Sequence, residues 1–190
     1  MAGVDEVGRG CLAGPVFAAA VILNKNIDTK NIRDSKKLSF KERILISKYI
    51  KKNSIYALGI ATVEEINKIN ILNASLLSMK RALSKLSTKP TLAYIDGPFA
   101  PKLNMKFRTF IRGDEKIKSI AAASIIAKVS RDLFMIKLSK KYPEYYWRKN
   151  FGYGTKDHLF GLKKYGITKH HRKKFKPIHN ILFKQTRETQ

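Results

Sequence analysis

Cysteine is almost missing from this chain: Cys11 is its one instance in 190 residues. A single thiol excludes an internal disulfide and any zinc site built from several cysteines, and it fits a reducing compartment, here expected to be the cytoplasm. The four histidines do not fill the gap, because His158, the adjacent His170 and His171, and the isolated His179 show no metal-ligand spacing. Acids are scarce too. There are 14 Asp and Glu against 39 Lys and Arg, a formal charge of +25. No fold requires that imbalance, and self-repulsion penalises the compact state, so a polyanionic partner is implied. An AT-biased genome is the competing source of part of the lysine. There is no bilayer-spanning stretch, no lipidation motif and no free-standing basic amphipathic helix, so nucleic acid is favoured over a membrane surface. Nucleophile-elbow and phosphate-loop motifs are absent, as are internal repeats and low-complexity linkers. With 44% hydrophobic residues the chain can bury a core, and a single domain spanning residues 1–190 is expected.

What is present centres on the first fifteen residues. Asp5 and Glu6 stand side by side among Gly3, Gly8, Gly10 and Gly14. Adjacent acids repel, and a buried pair needs protons, hydrogen bonds or a cation. Glycines without Cβ atoms let another molecule approach the backbone, so peptide N–H groups there could touch a phosphate or sugar. The plainer alternative is a tight turn with solvated acids. Gly8-x-Gly10-x-x-x-Gly14 imitates a dinucleotide-binding loop, but Pro15 and the run Val16–Leu23 read as a second strand rather than as the helix such a loop must open. Residues 11–23 also imitate a signal peptide. The acidic flank and Pro15 argue instead for a buried strand.

The rest of the chain alternates helical and extended patterns. After a hairpin over 2–23 and a loop over Asp34–Leu38, Ser39 and Glu42 form a capping-box pair for a helix reaching about Lys52. A third strand is read over 55–63. Thr62 and Glu65 cap a short helix, and Leu72, Leu76, Met79, Leu83 and Leu86 mark a second one, whose stripe is core. Residues 91–95 form a strand ending at Asp96-Gly97, the position beyond a strand's carboxyl end where α/β sheets hold ligands. A strand over 106–112 leads to Gly113-Asp114 and a long helix over about 116–140. The remainder reads as looser: an aromatic patch (Tyr142, Tyr145, Tyr146, Trp147), a Gly152–Thr155 turn and a helix over 156–165 stopped by Gly166.

Asp5, Glu6, Asp96 and Asp114 therefore stand apart, each at a strand edge or a glycine-marked helix entrance. Hard cations such as Mg²⁺ or Mn²⁺ take oxygen ligands of this kind, and two ions about 3.5–4 Å apart suit phosphodiester hydrolysis. Helix capping is the alternative role, for Asp114 above all. Successive strand residues point to opposite faces, so Asp5 and Glu6 share a site only if the strand ends or bulges nearby, or if Glu6 bends round. Asp132 is a further candidate ligand, but Lys128 one turn away points to a surface pair. His170-His171-Arg172-Lys173-Lys174 reads as a phosphate-binding strip or as a solvated charge run.

Taken together, these residues resemble a known family. Ala2–Gly10, Ala13–Val16, Asp34–Leu38, Ile95–Gly97, Gly113-Asp114, Ser119–Val129, Gly152–Thr155 and His170–Arg172 are similar, in order, to the signatures of bacterial ribonuclease HII, the type 2 ribonuclease H. The resemblance implies an α/β ribonuclease-H-like fold, with a central mixed β-sheet flanked by helices and a helical, substrate-binding C-terminal part over about 142–190. It implies a metal-dependent endoribonuclease, using Mn²⁺ or Mg²⁺, that acts on the RNA strand of RNA/DNA hybrids and on single ribonucleotides in duplex DNA. Cleavage would fall 5′ of the ribonucleotide, leaving 3′-hydroxyl and 5′-phosphate ends. Asp5, Glu6, Asp96 and Asp114 match the family's metal-binding acids. Gly8, Arg9, Gly10 and Tyr153 match its contacts to the ribose 2′-hydroxyl and the RNA–DNA junction, and Ser35, Lys36, His171 and Arg172 are further substrate-binding candidates. A monomer without membrane contact is expected. Members commonly carry a short segment before the first strand, whereas here the strand begins at residue 2. The competing reading from composition, a non-catalytic basic nucleic-acid-binding protein, gives no reason for the four placed acids.

Overall fold

Small and branched apolar residues at both ends of the first hairpin allow it to be covered on two faces. β1 (Ala2–Val7) and β2 (Val16–Leu23) pair antiparallel, with Asp5 opposite Ala19 and Glu6 opposite Ala18. β3 (Ser54–Ala61) adds antiparallel to β2, while β4 (Leu92–Asp96) and β5 (Lys106–Phe110) add parallel on the other side of β1. The five-stranded mixed sheet has the order β3-β2-β1-β4-β5. This is a computed structural model describing residues 1–33 and 35–188. Asp34 of the expected Asp34–Leu38 loop, and residues 189 and 190 of the expected C-terminal part, lie outside the described residues.

Helices cover both faces. α1 (Phe40–Lys52) starts at Ser39 with both capping-box hydrogen bonds formed to Glu42. The helical segment α2 (Val63–Ser84) begins with a second capping box, Thr62 and Glu65, and is broken at Asn70, whose φ is 67°. There the Asn70 side chain accepts the Asn73 N–H at 3.0 Å and caps the second half. The two helices expected from the sequence are therefore joined through one residue. Past β5, a single turn α3 (Gly113–Lys116) precedes α4 (Lys118–Ser139). Where one long helix was read from about 116, extended Ile117 separates the two.

Strand alternation sorts the core. Ala2, Val4, Ala18, Ala20 and Ala57 pack against Met79, Ala82 and Leu83 of α2, while Ala19 and Val21 pack against the alanine-rich middle of α4. Gly3 fits because a Cβ there would fall inside the Ser119–Ile120 peptide of α4. The helix backbone thus rides directly on β1, with little side chain between.

The C-terminal stretch is more ordered than its sequence suggests. It contains α5 (Trp147–Asn150), α6 (Lys156–Tyr165) and α7 (Lys176–Glu188), the last expected only through the helical C-terminal part that the family resemblance implies. Tyr145, Trp147, Leu162 and Ile178 pack with Leu12, Ala13 and Met135. This cluster seats the C-terminal helices on the Gly8–Pro15 loop and on the end of α4, which places both beside the carboxyl end of β1.

Candidate active site

The carboxyl ends of β1 and β4 lie side by side, because those strands are parallel. Each presents acids there. Asp5 shares its strand face with Gly3 and so faces α4, whereas Glu6 shares the face of Val4 and lies beside Leu72, Ser75, Leu76 and Met79 of α2. No bulge is needed: β1 runs regularly to Val7, Gly8 turns the chain at φ 95°, and both acids reach one cleft over the strand ends. Asp96 closes β4. Asp114 sits inside α3, and the caps of α3 and α4 are Arg112 and Ile117. Asp114 is therefore not a helix cap.

The cleft encloses about 270 Å³ and is lined by all four acids, by Gly8, Arg9 and Gly10, by Ser35 and Lys36, and by Ser124, Lys128 and Tyr153. Asp5 accepts the Glu6 N–H at 2.7 Å, Asp96 accepts the Gly113 N–H at 2.6 Å, Arg9 reaches Glu6 at 3.3 Å and Lys36 reaches Asp114 at 3.5 Å. Burial raises the Asp5 carboxyl well above the usual carboxylate range, and the charges of Glu6 and Asp96 add to it. Burial likewise raises Glu6 and Asp96, against the pull of Arg9 on the first and of the Gly113 N–H on the second. The second oxygen of Glu6, Oε2, is buried with no hydrogen-bond partner among the described residues. Among the described residues no three His, Cys, Asp or Glu side chains converge tightly enough to ligate one ion by themselves.

Ser35 enters the cleft indirectly, its hydroxyl lying 3.0 Å from that of Ser124, which in turn hydrogen-bonds Asp5. Ser124 escaped the sequence reading. Its signal is a hydroxyl in an otherwise apolar helical run, with Lys128 one turn on and Asp132 one turn further. The expected surface pair of Lys128 and Asp132 is in fact internal: Asp132 is fully buried, 2.8 Å from the Lys128 ammonium. That ammonium also lies 4.9 Å from the Phe151 ring centre and 5.9 Å from that of Tyr153. Tyr153 keeps part of its ring open to the cleft, while burial and the neighbouring Cys11 thiol raise its phenol.

His171 and Arg172 do not form an exposed strip. Both are fully buried, so neither reaches a phosphate; Lys173 and Lys174 beside them are exposed. The Arg172 guanidinium instead donates to the carbonyls of Gly8, Arg9 and Gly14 at 2.6 to 3.0 Å. Burial lowers its pKa to about 9. His171 belongs to a chain whose protons can be placed from its fixed ends. The Tyr153 carbonyl, 2.9 Å from His158 Nδ1, requires a proton on that nitrogen. His158 Nε2 then accepts from Trp147 Nε1 and from His171 Nε2, each at 3.1 Å, and His171 Nδ1 accepts the Thr168 N–H. Both rings are neutral. Burial lowers both, His171 to about 3.

The fold agrees with what comparison finds. The family model for ribonuclease HII matches residues 2–186. A protein named ribonuclease HII from Pelagibacter ubique is 61% identical over 183 residues, covering 96% of this chain and 98% of that one. The chain belongs to the ribonuclease HII family. Membership makes it a ribonuclease H-type endonuclease acting on RNA/DNA hybrids, which sets aside a purely binding, non-catalytic role. The crystal structure of ribonuclease H2 from Pyrococcus horikoshii superposes with a TM-score of 0.80 at 27% identity, covering 96% of this chain and 97% of the other. Bst RNase HIII in complex with Mn²⁺ shares the fold at a TM-score of 0.73 and 17% identity, over 98% of this chain and 70% of that one.

Proposed function

We propose that Asp5, Glu6, Asp96 and Asp114 hold divalent cations, Mg²⁺ or Mn²⁺, and that the enzyme cuts single ribonucleotides embedded in duplex DNA as well as hybrids. The observation that carries this is the orphaned, buried Oε2 of Glu6 in a cleft where burial and neighbouring charge push the carboxyls of Asp5, Glu6 and Asp96 upward. Such a cluster is unfavourable as an end in itself and suits a cation. The residues fit the group. All four offer hard oxygen donors, and an ion of this kind takes one or two carboxylates and fills its shell with water and substrate phosphate, so three converging side chains are not needed. The Mn²⁺ held by a structural relative supports the same reading. Once bound, the cations supply charge stabilisation at the phosphodiester and an activated water.

The chain's own residues handle the rest of the substrate. Gly8, Arg9 and Gly10 form the cleft wall as backbone, suited to hydrogen-bonding a ribose 2′-hydroxyl. The part-open Tyr153 ring offers a face to the adjoining sugar. Lys36, held at Asp114, can move to a phosphate when a cation takes its place. The helical part from residue 142 contributes Tyr153 and the exposed Lys173 and Lys174, and the protein acts as a monomer in the cytoplasm. No helix among the described residues is long and apolar enough to cross a membrane.

The test is a labelled DNA duplex carrying one ribonucleotide, with an all-DNA duplex as control, incubated with Mg²⁺ or Mn²⁺. Cleavage of the first alone, on the 5′ side and leaving 3′-hydroxyl and 5′-phosphate ends, is expected. Cutting of both duplexes, or of neither while long hybrids are cleaved, would overturn the substrate assignment.

A further inference from the structure

Two guanidiniums are buried beneath the cleft wall, and neither has a carboxylate partner among the described residues. Arg131, from α4, and Arg172 are both fully buried, and the ion pairs formed by the described residues involve other side chains. Buried arginines ordinarily meet an acid, because an unpaired charge removed from water is costly. Here each spends its donors on backbone carbonyls. Arg131 donates to Pro15 at 2.9 Å, Ala13 at 3.0 Å and Phe151 at 2.9 Å. Arg172 takes Gly8, Arg9 and Gly14. Five carbonyls of the Gly8–Pro15 loop are thus drawn inward onto positive charge.

A peptide group whose oxygen is pulled one way turns its N–H the other way. The N–H groups of Arg9 and Gly10 have no backbone acceptor among the described residues, and both residues line the cleft. Gly8 is pressed onto Arg131, where a Cβ would collide with the guanidinium, whereas a Cβ on Gly10 would meet nothing within 4 Å. The loop therefore has a packed underside and an open top. Arg131 also grips the residue two before Tyr153, and Gly152 accepts the Leu12 N–H at 2.8 Å, so the same clamp sets the tyrosine turn against the glycine loop.

We infer that Arg131 and Arg172 are positioning residues for ribonucleotide recognition: they orient the Gly8–Gly10 peptides so that outward N–H groups, polarised by the charge behind them, receive the 2′-hydroxyl and its neighbouring phosphate. The inference rests on the proposed role of that loop. Affinity for the duplex at large comes from the exposed lysines and is left unaltered by the clamp. Loss of the clamp therefore appears in turnover and in ribose discrimination.

The experiment compares Arg172→Lys, Arg131→Lys, Arg172→Met and Gly10→Ala with wild type on the one-ribonucleotide duplex, with folded fraction measured by circular dichroism at the assay temperature. Per folded molecule, each lysine variant should lose at least tenfold in kcat with KM within about twofold. Arg172→Met should lose more than Arg172→Lys. Gly10→Ala should lose activity with an unchanged Tm, which tests the loop's role independently of the clamp. If Gly10→Ala is fully active, the loop reading itself fails; if it is impaired while the lysine variants keep wild-type kcat per folded molecule, the clamp fails alone. Should the arginine variants not fold, amide shifts decide. In the folded wild-type protein without divalent metal, the Arg9 and Gly10 N–H resonances should move further on adding the one-ribonucleotide duplex than on adding the all-DNA duplex, which brings the phosphate without the 2′-hydroxyl, and equal responses to both would overturn the inference.

Discussion

Charge burial at individual residues sets how stability responds to pH, and here two groups of residues act in opposite senses. His171 has its pKa lowered to about 3 in the fold, against about 6.5 in an unfolded chain. Between those values the unfolded state binds more protons, so stability falls as pH drops through that window. His158, lowered by the same burial, adds to the trend. Asp5 works the other way: its folded pKa is raised, the folded state binds more protons above the unfolded value near 3.9, and stability falls as pH rises through the folded pKa. Melting followed by circular dichroism should show Tm falling from pH 7 to pH 5, and His171→Gln should flatten that fall while starting from a lower Tm. A His171→Gln variant whose Tm falls on acidification as steeply as that of wild type would refute the neutral histidine chain. Little of this was visible in the sequence. A run such as His170–Lys174 reads as surface, and only the distant carbonyls of Gly8, Arg9 and Gly14 explain why Arg172 is inside.

Secondary-structure elements were legible where the signal is local. Ser39 with Glu42 and Thr62 with Glu65 form the caps their spacing predicts, and β4 ends on Asp96 as read. The misses share a cause, which is dependence on partners far along the chain. α7 is seated through Ile178 on Leu12 and Met135, and the break at Ile117 is fixed as α3 turns Gly113 onto Asp96. The alanine run of α4 allows close packing on β1, but its closest point, Gly3, reads in the sequence only as one residue of the first strand. Gly3→Ala inserts a Cβ into a helix backbone with no flexible side chain to yield, so the cost should reach the upper end of overpacking, about 3 kcal/mol. For a chain of this length that is a Tm decrease of roughly 6–12 °C. A decrease below about 2 °C would show that α4 does not ride on the strand as described.

For the whole molecule, the net charge of +25 and four converging acids make opposite demands. Lysines spread over the surface draw in a polyanion, and the acids of the cleft repel it locally, which is where the proposed cations would act. Binding should therefore be steeply salt-dependent, with log K changing by about −0.9 per unit log salt for each phosphate neutralised, and charge reversal at the exposed Lys173 and Lys174 should flatten that slope. An affinity that is constant from low to high salt would contradict the electrostatic account. The family and the mixed sheet could be read from motifs in order along the chain, and the four acids singled out there line one cleft, whereas the clamp under the loop required three dimensions. The account rests most heavily on the acid cluster as the metal-dependent catalytic centre. Its most direct test is the turnover of Asp5→Asn on an RNA/DNA hybrid with Mg²⁺ or Mn²⁺ at saturating substrate: the account predicts a loss of at least about 1,000-fold, over 4 kcal/mol of transition-state stabilisation, with substrate affinity retained, and turnover within tenfold of wild type would contradict it.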